Sequence, residues 1–281
     1  MWSLPKPRHT AQETYEAAIS RMRDRDLRAV YRSATGTVTA AAASYAAAAE
    51  RGLAHALREK DFEAGAVTRK QMITLYDDRM AHPKGAARHI YDAIRAAAPH
   101  NRCPSCGHRD ARTLDHVLPK TKFPALAVTP LNLVPACHEC NKRKGNQVAA
   151  SAQTAAVHPY YDHFDTDRWL HAAVEQDRPP AVRFFVEAPQ HWAAADQARA
   201  RHHFDGFGLG ALYTAQAAQE LANLEYRLGQ LAATGGADGV RDFLQENADS
   251  CRHARLNSWQ TAMYVALSES DWFCDGGFDL G

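Results

Sequence analysis

Two pairs of cysteines have the spacing of a metal site. Cys103 and Cys106 form the first pair and Cys137 and Cys140 the second, with 30 residues between the pairs. The two-residue gap lets both thiolates of a pair point at one ion, and four thiolates complete a closed tetrahedral zinc site. A redox dithiol would need only one pair in a thioredoxin-like βαβ context, which the sequence lacks. The pattern therefore predicts a structural Zn²⁺ that clamps a segment too small to have its own core.

Polar residues between and just after the cysteine pairs have the chemistry to hydrolyse a phosphodiester. Asp115 and His116 are neighbours, Asn132 follows in a short apolar run, and Asn141 comes directly after Cys140. Such a cleavage needs an attacking water, a base that deprotonates it, and a cation that offsets charge on the phosphate and the departing oxygen. His116, with an ordinary pKa of about 6.5, is the side chain that can act as the base at neutral pH.

In this order and spacing, residues 103–146 resemble the HNH endonuclease family, whose module has a strand with Asp-His, a loop with Asn, a second strand and a short helix. The resemblance implies that His116 is the general base and that Asp115 and Asn141 are ligands of a catalytic metal. It also implies that Asn132 fixes the loop and helps to orient the histidine. Because neighbours on a strand point to opposite sides, a local twist or a bulge would be needed to bring Asp115 and His116 to one centre.

The third position of the family pattern departs from its name, because it is Asn141 and not a histidine. Asp115 and Asn141 offer hard oxygen ligands, which favour Mg²⁺ or Mn²⁺, whereas a histidine would move the preference toward Zn²⁺ or Ni²⁺. We therefore expect two metals with separate duties, zinc for the fold and magnesium or manganese for catalysis.

Basic charge is concentrated around this segment. The whole chain has a net charge of only +1, which excludes a polycation, but residues 101–146 hold eight basic side chains against three acidic ones, a net charge of +5. Phosphate contact is the natural use of such a local patch. Lys142 and Lys144 lie about 160° apart on a helix, so only one of them is expected to face the scissile phosphate. The predicted nucleic-acid-binding residues are Lys120, Lys122, Lys142 and Lys144.

The elements around the motifs predict a mainly α fold with a small central ββα-metal (HNH) module and α-helical flanking regions. The expected regions are 1–98, helical; 99–150, the nuclease module; and 151–281, mostly helical. Thr10 and Glu13 have the form of a capping box ahead of a helix to about Val30, and further helices are expected near 38–58, 66–79 and 86–98. A strand is expected at Val182–Val186. Two apolar helical faces are formed by Leu221, Leu224, Leu228 and Leu231, and by Leu256, Trp259, Met263 and Leu267.

The chain has neither a signal-peptide pattern nor a run of about 18 apolar residues that could span a membrane, so we expect a cytoplasmic protein with no membrane partner. Its expected partner is DNA, with RNA left open. A single HNH module between helical flanks resembles the nuclease subunits of prokaryotic antiphage systems such as the Septu type, where an ATPase partner controls cleavage. The alternative to such a partner is a homodimer.

Two other functions stay open at this point. A mobile-element or restriction-type endonuclease would find its own site, but it would need base-reading elements that are not visible in the sequence. A non-catalytic zinc-ribbon adaptor would bind nucleic acid or protein without cutting. It would need the four cysteines, but it would have no use for Asp115, His116 and Asn141 together.

Overall fold

The computed structural model describes residues 2–279, which form two compact units that meet in sequence between His163 and Phe164. Helices dominate both units, and each unit contains one two-stranded antiparallel sheet. The predicted fold class is therefore confirmed. Among the described residues, none of the helices has the length and apolar character that crossing a membrane requires.

The first unit begins with five α-helices, and its first helix boundary differs from the predicted one. Thr10 and Glu13 form the expected capping box, but the helix ends at Ile19. A new helix starts after Asp24, whose carboxylate accepts hydrogen bonds of 3.0 Å from the amides of Asp26 and Leu27. The five helices are α1 (Ala11–Ile19), α2 (Arg25–Ser33), α3 (Thr35–Glu50), α4 (Arg69–Thr74) and α5 (Arg88–Ala96), with short 3₁₀ turns at Ala54–Ala56 and Glu59–Phe62.

The helix predicted near 66–79 has a change of helix type within it. It starts as α4 with a capping box between Thr68 and Gln71, and it continues as a π-helix over Leu75–Ala81. Each turn of a π-helix holds more residues than a turn of an α-helix, and such segments are rare and frequent at functional sites. The hydrophobic period of the sequence does not distinguish the two types.

The nuclease-like segment has the predicted strand–strand–helix order. Strand β1 (Thr113–His116) pairs antiparallel with β2 (Leu133–Ala136), and helix α6 (His138–Lys144) follows directly. Two 3₁₀ turns, Pro124–Leu126 and Pro130–Asn132, shape the loop between the strands, and two more lie at Pro99–Asn101 and Ala152–Thr154. The register runs without interruption from Thr113 opposite Ala136 to His116 opposite Leu133. Of the local twist or bulge that Asp115 and His116 were expected to require, the bulge is therefore absent from this ladder.

The first unit has one continuous core that joins the N-terminal helices to the ββα segment. Tyr15, Met72 and Ile90 from the helices belong to the same buried cluster as Phe123 and Leu133 from the segment. Residues 1–98 and 99–150, which the sequence presents as separate regions, thus pack around shared apolar side chains. Strands β1 and β2 therefore pack against the N-terminal helices.

The second unit combines one small sheet with a helical bundle. Strand β4 (Ala181–Val186) confirms the predicted strand, and it pairs with β3 (Leu170–Glu175), which was not predicted. The helices are α7 (Ala194–Gly206), α8 (Leu209–Ala254) and α9 (Trp259–Ser268), and a π-helical turn follows at Phe273–Gly277.

Helix α8 reverses direction at Gly236, where φ is +63°. The Arg227 guanidinium lies 5.8 Å from the ring centroid of Phe243, whereas sixteen residues of straight helix would separate them by about 24 Å. The predicted apolar faces are largely confirmed, because Leu221, Leu224 and Leu228 are buried in α8. Trp259, Met263 and Leu267 are buried in α9, and Leu256 precedes that helix.

Candidate metal centre and active site

The four predicted cysteines form one buried cluster. The sulfur atoms of Cys103, Cys106, Cys137 and Cys140 all lie within 4.8 Å of one another. A tetrahedral zinc site with bonds of about 2.3 Å places its sulfurs about 3.8 Å apart, so the cluster has the dimensions of such a site. The four cysteines are consistent with a structural zinc, as predicted. They tie the turn before β1 to the start of α6.

Backbone amides support the sulfurs in the way that metal-bound thiolates require. The Arg109 amide donates to Cys106 Sγ at 3.5 Å, and the Cys140 amide donates to Cys137 Sγ at 3.3 Å. Gly107 follows the first pair with φ at +61°, a left-handed conformation that closes the turn at little cost for glycine.

The thiols also affect one another. Donation from the neighbouring thiols, of which Cys103 has the largest effect, holds the pKa of Cys106 well below its ordinary value. The pKa of Cys140 is raised because its thiol donates to the other three sulfurs, with the largest effect from Cys103. A divalent cation that binds all four thiolates would displace the protons of these thiols.

His116 is buried and held in one tautomer. Its side chain is only 8% exposed, and Nε2 lies 2.8 Å from the carbonyl oxygen of Ala127. A carbonyl can only accept a hydrogen bond, so Nε2 carries the proton and Nδ1 keeps a free lone pair. Burial lowers the pKa of His116 to about 3, so the imidazole is neutral at pH 7. A neutral imidazole with an unprotonated nitrogen is the form that a general base requires.

Asp115 is paired with a lysine from α6. Both of its carboxylate oxygens lie 3.4 Å from Lys144 Nζ, which also donates to the backbone oxygen of His116 at 2.5 Å. Each of the two side chains is only 11% exposed. Burial raises the pKa of Asp115, and the Lys144 ammonium opposes that rise. The buried Asp115 carboxylate is therefore already paired with one positive group, the Lys144 ammonium.

Asn141 lies over the same face of β1 as Asp115. Its Nδ2 donates to Thr113 Oγ1 at 3.2 Å and reaches the Leu114 carbonyl at 3.5 Å, which leaves Oδ1 for another partner. Thr113 and Asp115 are two residues apart on a regular strand, so their side chains share a face. His116 lies on the other face of the strand. The structure thus brings Asp115 and Asn141 to one side of β1 and places the imidazole on the opposite side.

Asn132 is fully buried and organises the loop that holds His116. Its Oδ1 accepts from the Leu118 amide at 2.8 Å, and its Nδ2 donates to the carbonyls of Leu118 at 2.9 Å and Leu126 at 3.4 Å. The next residue, Ala127, provides the carbonyl that His116 contacts. Asn132 therefore acts on the histidine through the loop, by fixing the position of its hydrogen-bond acceptor.

The four predicted phosphate-binding lysines differ in their surroundings. Lys144 contacts Asp115, Lys120 forms an ion pair with Asp77, and Lys122 lies 3.3 Å from Glu59. Lys142 is exposed, and no ion pair is found for it among residues 2–279. Of the two lysines on α6, Lys144 is the one that faces the site.

Tyr76 is a contact of His116 that the sequence did not indicate. Its ring lies 4.4 Å from the imidazole centroid at an interplanar angle of 67°. It comes from the π-helix, 40 residues before the histidine. No local pattern marks it, since the contact depends on how the N-terminal helices pack against β1.

The HNH endonuclease family model matches residues 103–147, so the chain contains an HNH endonuclease domain. The chain is also similar to Protein ea31 of Escherichia phage lambda, with 28% identity over 236 residues, which covers 79% of either chain. No solved structure matches the chain. The domain match confirms the predicted HNH domain, and the cysteine cluster is consistent with the predicted structural zinc.

The cysteine cluster predicts a clear loss of zinc on substitution. Cys106→Ser removes one of four thiolates, and we expect bound zinc to fall from one atom per chain to none. The associated binding free energy, on the order of 10 kcal/mol in small zinc domains, would be lost from the stability of the first unit. Elemental analysis and thermal unfolding measure both effects. Cys251→Ser, outside the cluster, is the matched control, and zinc retention by Cys106→Ser would contradict the assignment.

The depressed pKa of His116 predicts part of the acid sensitivity of the fold. Between its ordinary pKa of about 6.5 and its folded value of about 3, only the unfolded chain takes up a proton there. This contribution to stability is complete above about pH 6.5 and is lost as the pH falls, by up to about 1.4 kcal/mol per pH unit. The free energy of urea unfolding should therefore fall less steeply toward about pH 5 for His116→Gln than for the wild type. Equal slopes would contradict the buried, neutral imidazole.

Proposed function

We propose that this protein is a metal-dependent endonuclease that hydrolyses phosphodiester bonds in DNA. The observation that carries the proposal is the state of His116: buried, neutral, and protonated on Nε2 by its bond to Ala127, so that Nδ1 is left as a base. A zinc module that only bound nucleic acid or protein would need the four thiols alone. It would gain nothing from a desolvated imidazole on one face of β1, or from the buried Asp115 carboxylate on the other.

The donor set on the other face of β1 fits a hard divalent cation. Asp115 offers a carboxylate and Asn141 an amide oxygen, and both are ligand types that Mg²⁺ and Mn²⁺ prefer. A cation bound there would supply positive charge to the phosphate and to the departing oxygen. It would compete for Asp115 with the Lys144 ammonium, which now contacts both carboxylate oxygens.

The reaction that these residues support is attack of water on phosphorus. His116 Nδ1 takes a proton from the water, the new oxygen–phosphorus bond forms, the bond from phosphorus to the 3′ oxygen breaks, and the departing 3′ oxygen takes a proton from solvent. The products are a 5′-phosphate and a 3′-hydroxyl end. The Lys144 charge, once released from Asp115, is available to a phosphate oxygen.

The biological setting remains a separate proposal, a nuclease subunit of an antiphage system controlled by an ATPase partner. Its support is the single HNH domain between helical regions that carry no recognised nucleic-acid-reading motif. The similar protein ea31 occurs in a bacteriophage, so the comparison itself does not favour a role in defence. Co-purification with an ATPase encoded beside this gene would support the setting, and its failure would count against it.

Plasmid nicking tests the nuclease directly. With Mg²⁺, the wild type should convert supercoiled DNA to nicked or linear forms, and His116→Ala should be slower by about 100- to 10,000-fold because the general base is lost. His138→Ala, an exposed histidine of the same domain, is the control that should retain activity. Equal cleavage by His116→Ala would refute the assignment of the base, and a matching RNA substrate distinguishes DNA from RNA as the target.

The donor set predicts the order of metal preference. Nicking rates should be higher with Mg²⁺ or Mn²⁺ than with added Zn²⁺, since both proposed ligands are oxygens. Asn141→His supplies a nitrogen ligand in place of the amide and should shift the preference toward Zn²⁺ or Ni²⁺. The measurement is the initial rate against metal concentration on zinc-loaded protein. A wild type that cuts fastest with added Zn²⁺ would contradict the proposed oxygen site.

A further inference from the structure

Two residues of the π-helix Leu75–Ala81 reach the candidate active site from outside the HNH domain. Tyr76 is buried and its ring lies edge-on against His116, 4.4 Å between centroids. The next residue, Asp77, accepts a hydrogen bond from Lys120, and the Lys120 ammonium lies 4.3 Å from the centroid of the Tyr76 ring. The Tyr76 ring therefore contacts the Lys120 ammonium and, at a second contact, the His116 imidazole.

The contact with Tyr76 supplies a constraint on His116 that the hydrogen bond alone does not. A single hydrogen bond from Nε2 to the Ala127 carbonyl fixes the position of that nitrogen. It still permits the plane of the imidazole to tilt about the line from Cγ to Nε2. An aromatic ring packed at 67° against the imidazole plane blocks this rotation. With both contacts in place, the direction of the Nδ1 lone pair is fixed, which is the property that an oriented base requires.

The Asp77–Lys120 pair covers the outer side of the Tyr76 ring. The side chain of Asp77 is 50% exposed and that of Lys120 is 22% exposed, so this ion pair adds little to the stability of the fold. Its local effect is to hold the lysine stem and ammonium against the tyrosine, where the cation–π contact adds to the ion pair. Lys120 thus helps to hold the Tyr76 ring in place against His116.

The π-helix is anchored at its far end, so that Tyr76 and Asp77 are presented by a fixed segment. The Arg88 guanidinium donates to the carbonyl of Ala81 at 2.5 Å, and the Ala87 amide donates to the Arg79 carbonyl at 2.8 Å. A Cβ at Gly85 would lie 2.4 Å from the Arg79 oxygen, so the chain can return to the π-helix there only with a glycine.

We infer that Tyr76 is a positioning residue for His116, held by the Asp77–Lys120 pair, and that the nuclease centre is complete only with the N-terminal helical region. The inference rests on the proposed nuclease function. It adds a residue outside 103–147 to the machinery of that function. A segment limited to residues 103–147 lacks Tyr76 and Asp77, and therefore lacks the ring that packs against His116.

The first test compares Tyr76→Leu, which removes the aromatic ring, with Tyr76→Phe, which keeps it. We expect kcat for Mg²⁺-dependent plasmid nicking to fall by about 10- to 100-fold in Tyr76→Leu and to stay within about threefold in Tyr76→Phe. KM for the plasmid should stay within about twofold, since Tyr76 is buried and a change in its ring leaves the protein surface intact. Asp77→Asn should also lower kcat, but by a smaller factor than Tyr76→Leu does.

Tyr31→Leu is the matched control, because Tyr31 is a buried tyrosine of the same core whose hydroxyl bonds to Gln71 rather than to the site. It should lose thermal stability to a similar extent as Tyr76→Leu and keep its kcat. A kcat loss in Tyr31→Leu as large as that in Tyr76→Leu would mean that general loosening of the core explains both, and would overturn the inference.

A second test does not depend on cleavage. Long-range ¹H–¹⁵N spectra of ¹⁵N-histidine-labelled protein report the tautomer of each imidazole, and His116→Ala identifies the His116 signals by their loss. We expect a single Nε2–H tautomer in the wild type, Tyr76→Phe and Tyr76→Leu, since the bond to Ala127 is kept, and exchange broadening of the His116 ring signals in Tyr76→Leu alone, since its ring orientation is no longer fixed. A Tyr76→Leu protein with unbroadened His116 ring signals and unchanged kcat would overturn the inference. If the wild type cuts no substrate, the proposed function fails, and the spectra alone decide whether Tyr76 positions His116.

Discussion

The hydrogen bond from His116 Nε2 to the Ala127 carbonyl is the constraint on which the active site depends, since it decides which imidazole nitrogen is free for chemistry. Other parts of the first unit hold the two ends of this bond. The ladder between β1 and β2 fixes the backbone of His116, and Asn132 fixes the loop that carries the carbonyl. The thiol cluster ties the turn before β1 to α6, and the N-terminal helices close the remaining side of the ring.

The electrostatics of the site follow from burial on both faces of one short strand. Burial lowers the pKa of His116 and raises that of Asp115, so each change favours the neutral form. On the Asp115 face, Lys144 partly offsets this effect by placing an ammonium against the carboxylate. Any divalent metal bound there must displace that ammonium, and this competition makes Lys144 a natural determinant of metal affinity. On the His116 face burial has the largest effect on the pKa, and the ammonium groups of Lys120 and Lys144 lower it further, so the imidazole stays neutral.

The sequence was most informative where chemistry depends on short spacing. Each Cys-x-x-Cys pair is a local turn, so the zinc cluster could be predicted from four residues. The positions of His116, Asn132 and Asn141 follow a family pattern for the same reason. Strand β4 and the buried faces of α8 and α9 also followed from periodicity.

Features that depend on contacts between distant residues could not be predicted in this way. The packing of Tyr76 on His116 joins residues 40 positions apart, and the partners of Lys120 and Lys122 lie in the N-terminal region. Strand β3 has a weak pattern because the five residues that follow Leu170 in it are all only partly buried. The break between α1 and α2 depends on the Asp24 cap, a local signal that the longer helical period obscured.

The most direct test of the central claim is chemical rescue of the base. His116→Gly removes the imidazole and leaves space at the same position, so that free imidazole can enter and accept the proton of the attacking water. Single-turnover nicking by zinc-loaded His116→Gly, measured with Mg²⁺ and increasing imidazole, should be negligible without imidazole and rise with its concentration. Nicking by His116→Gly at the wild-type rate without imidazole would contradict the assignment of His116 as the general base.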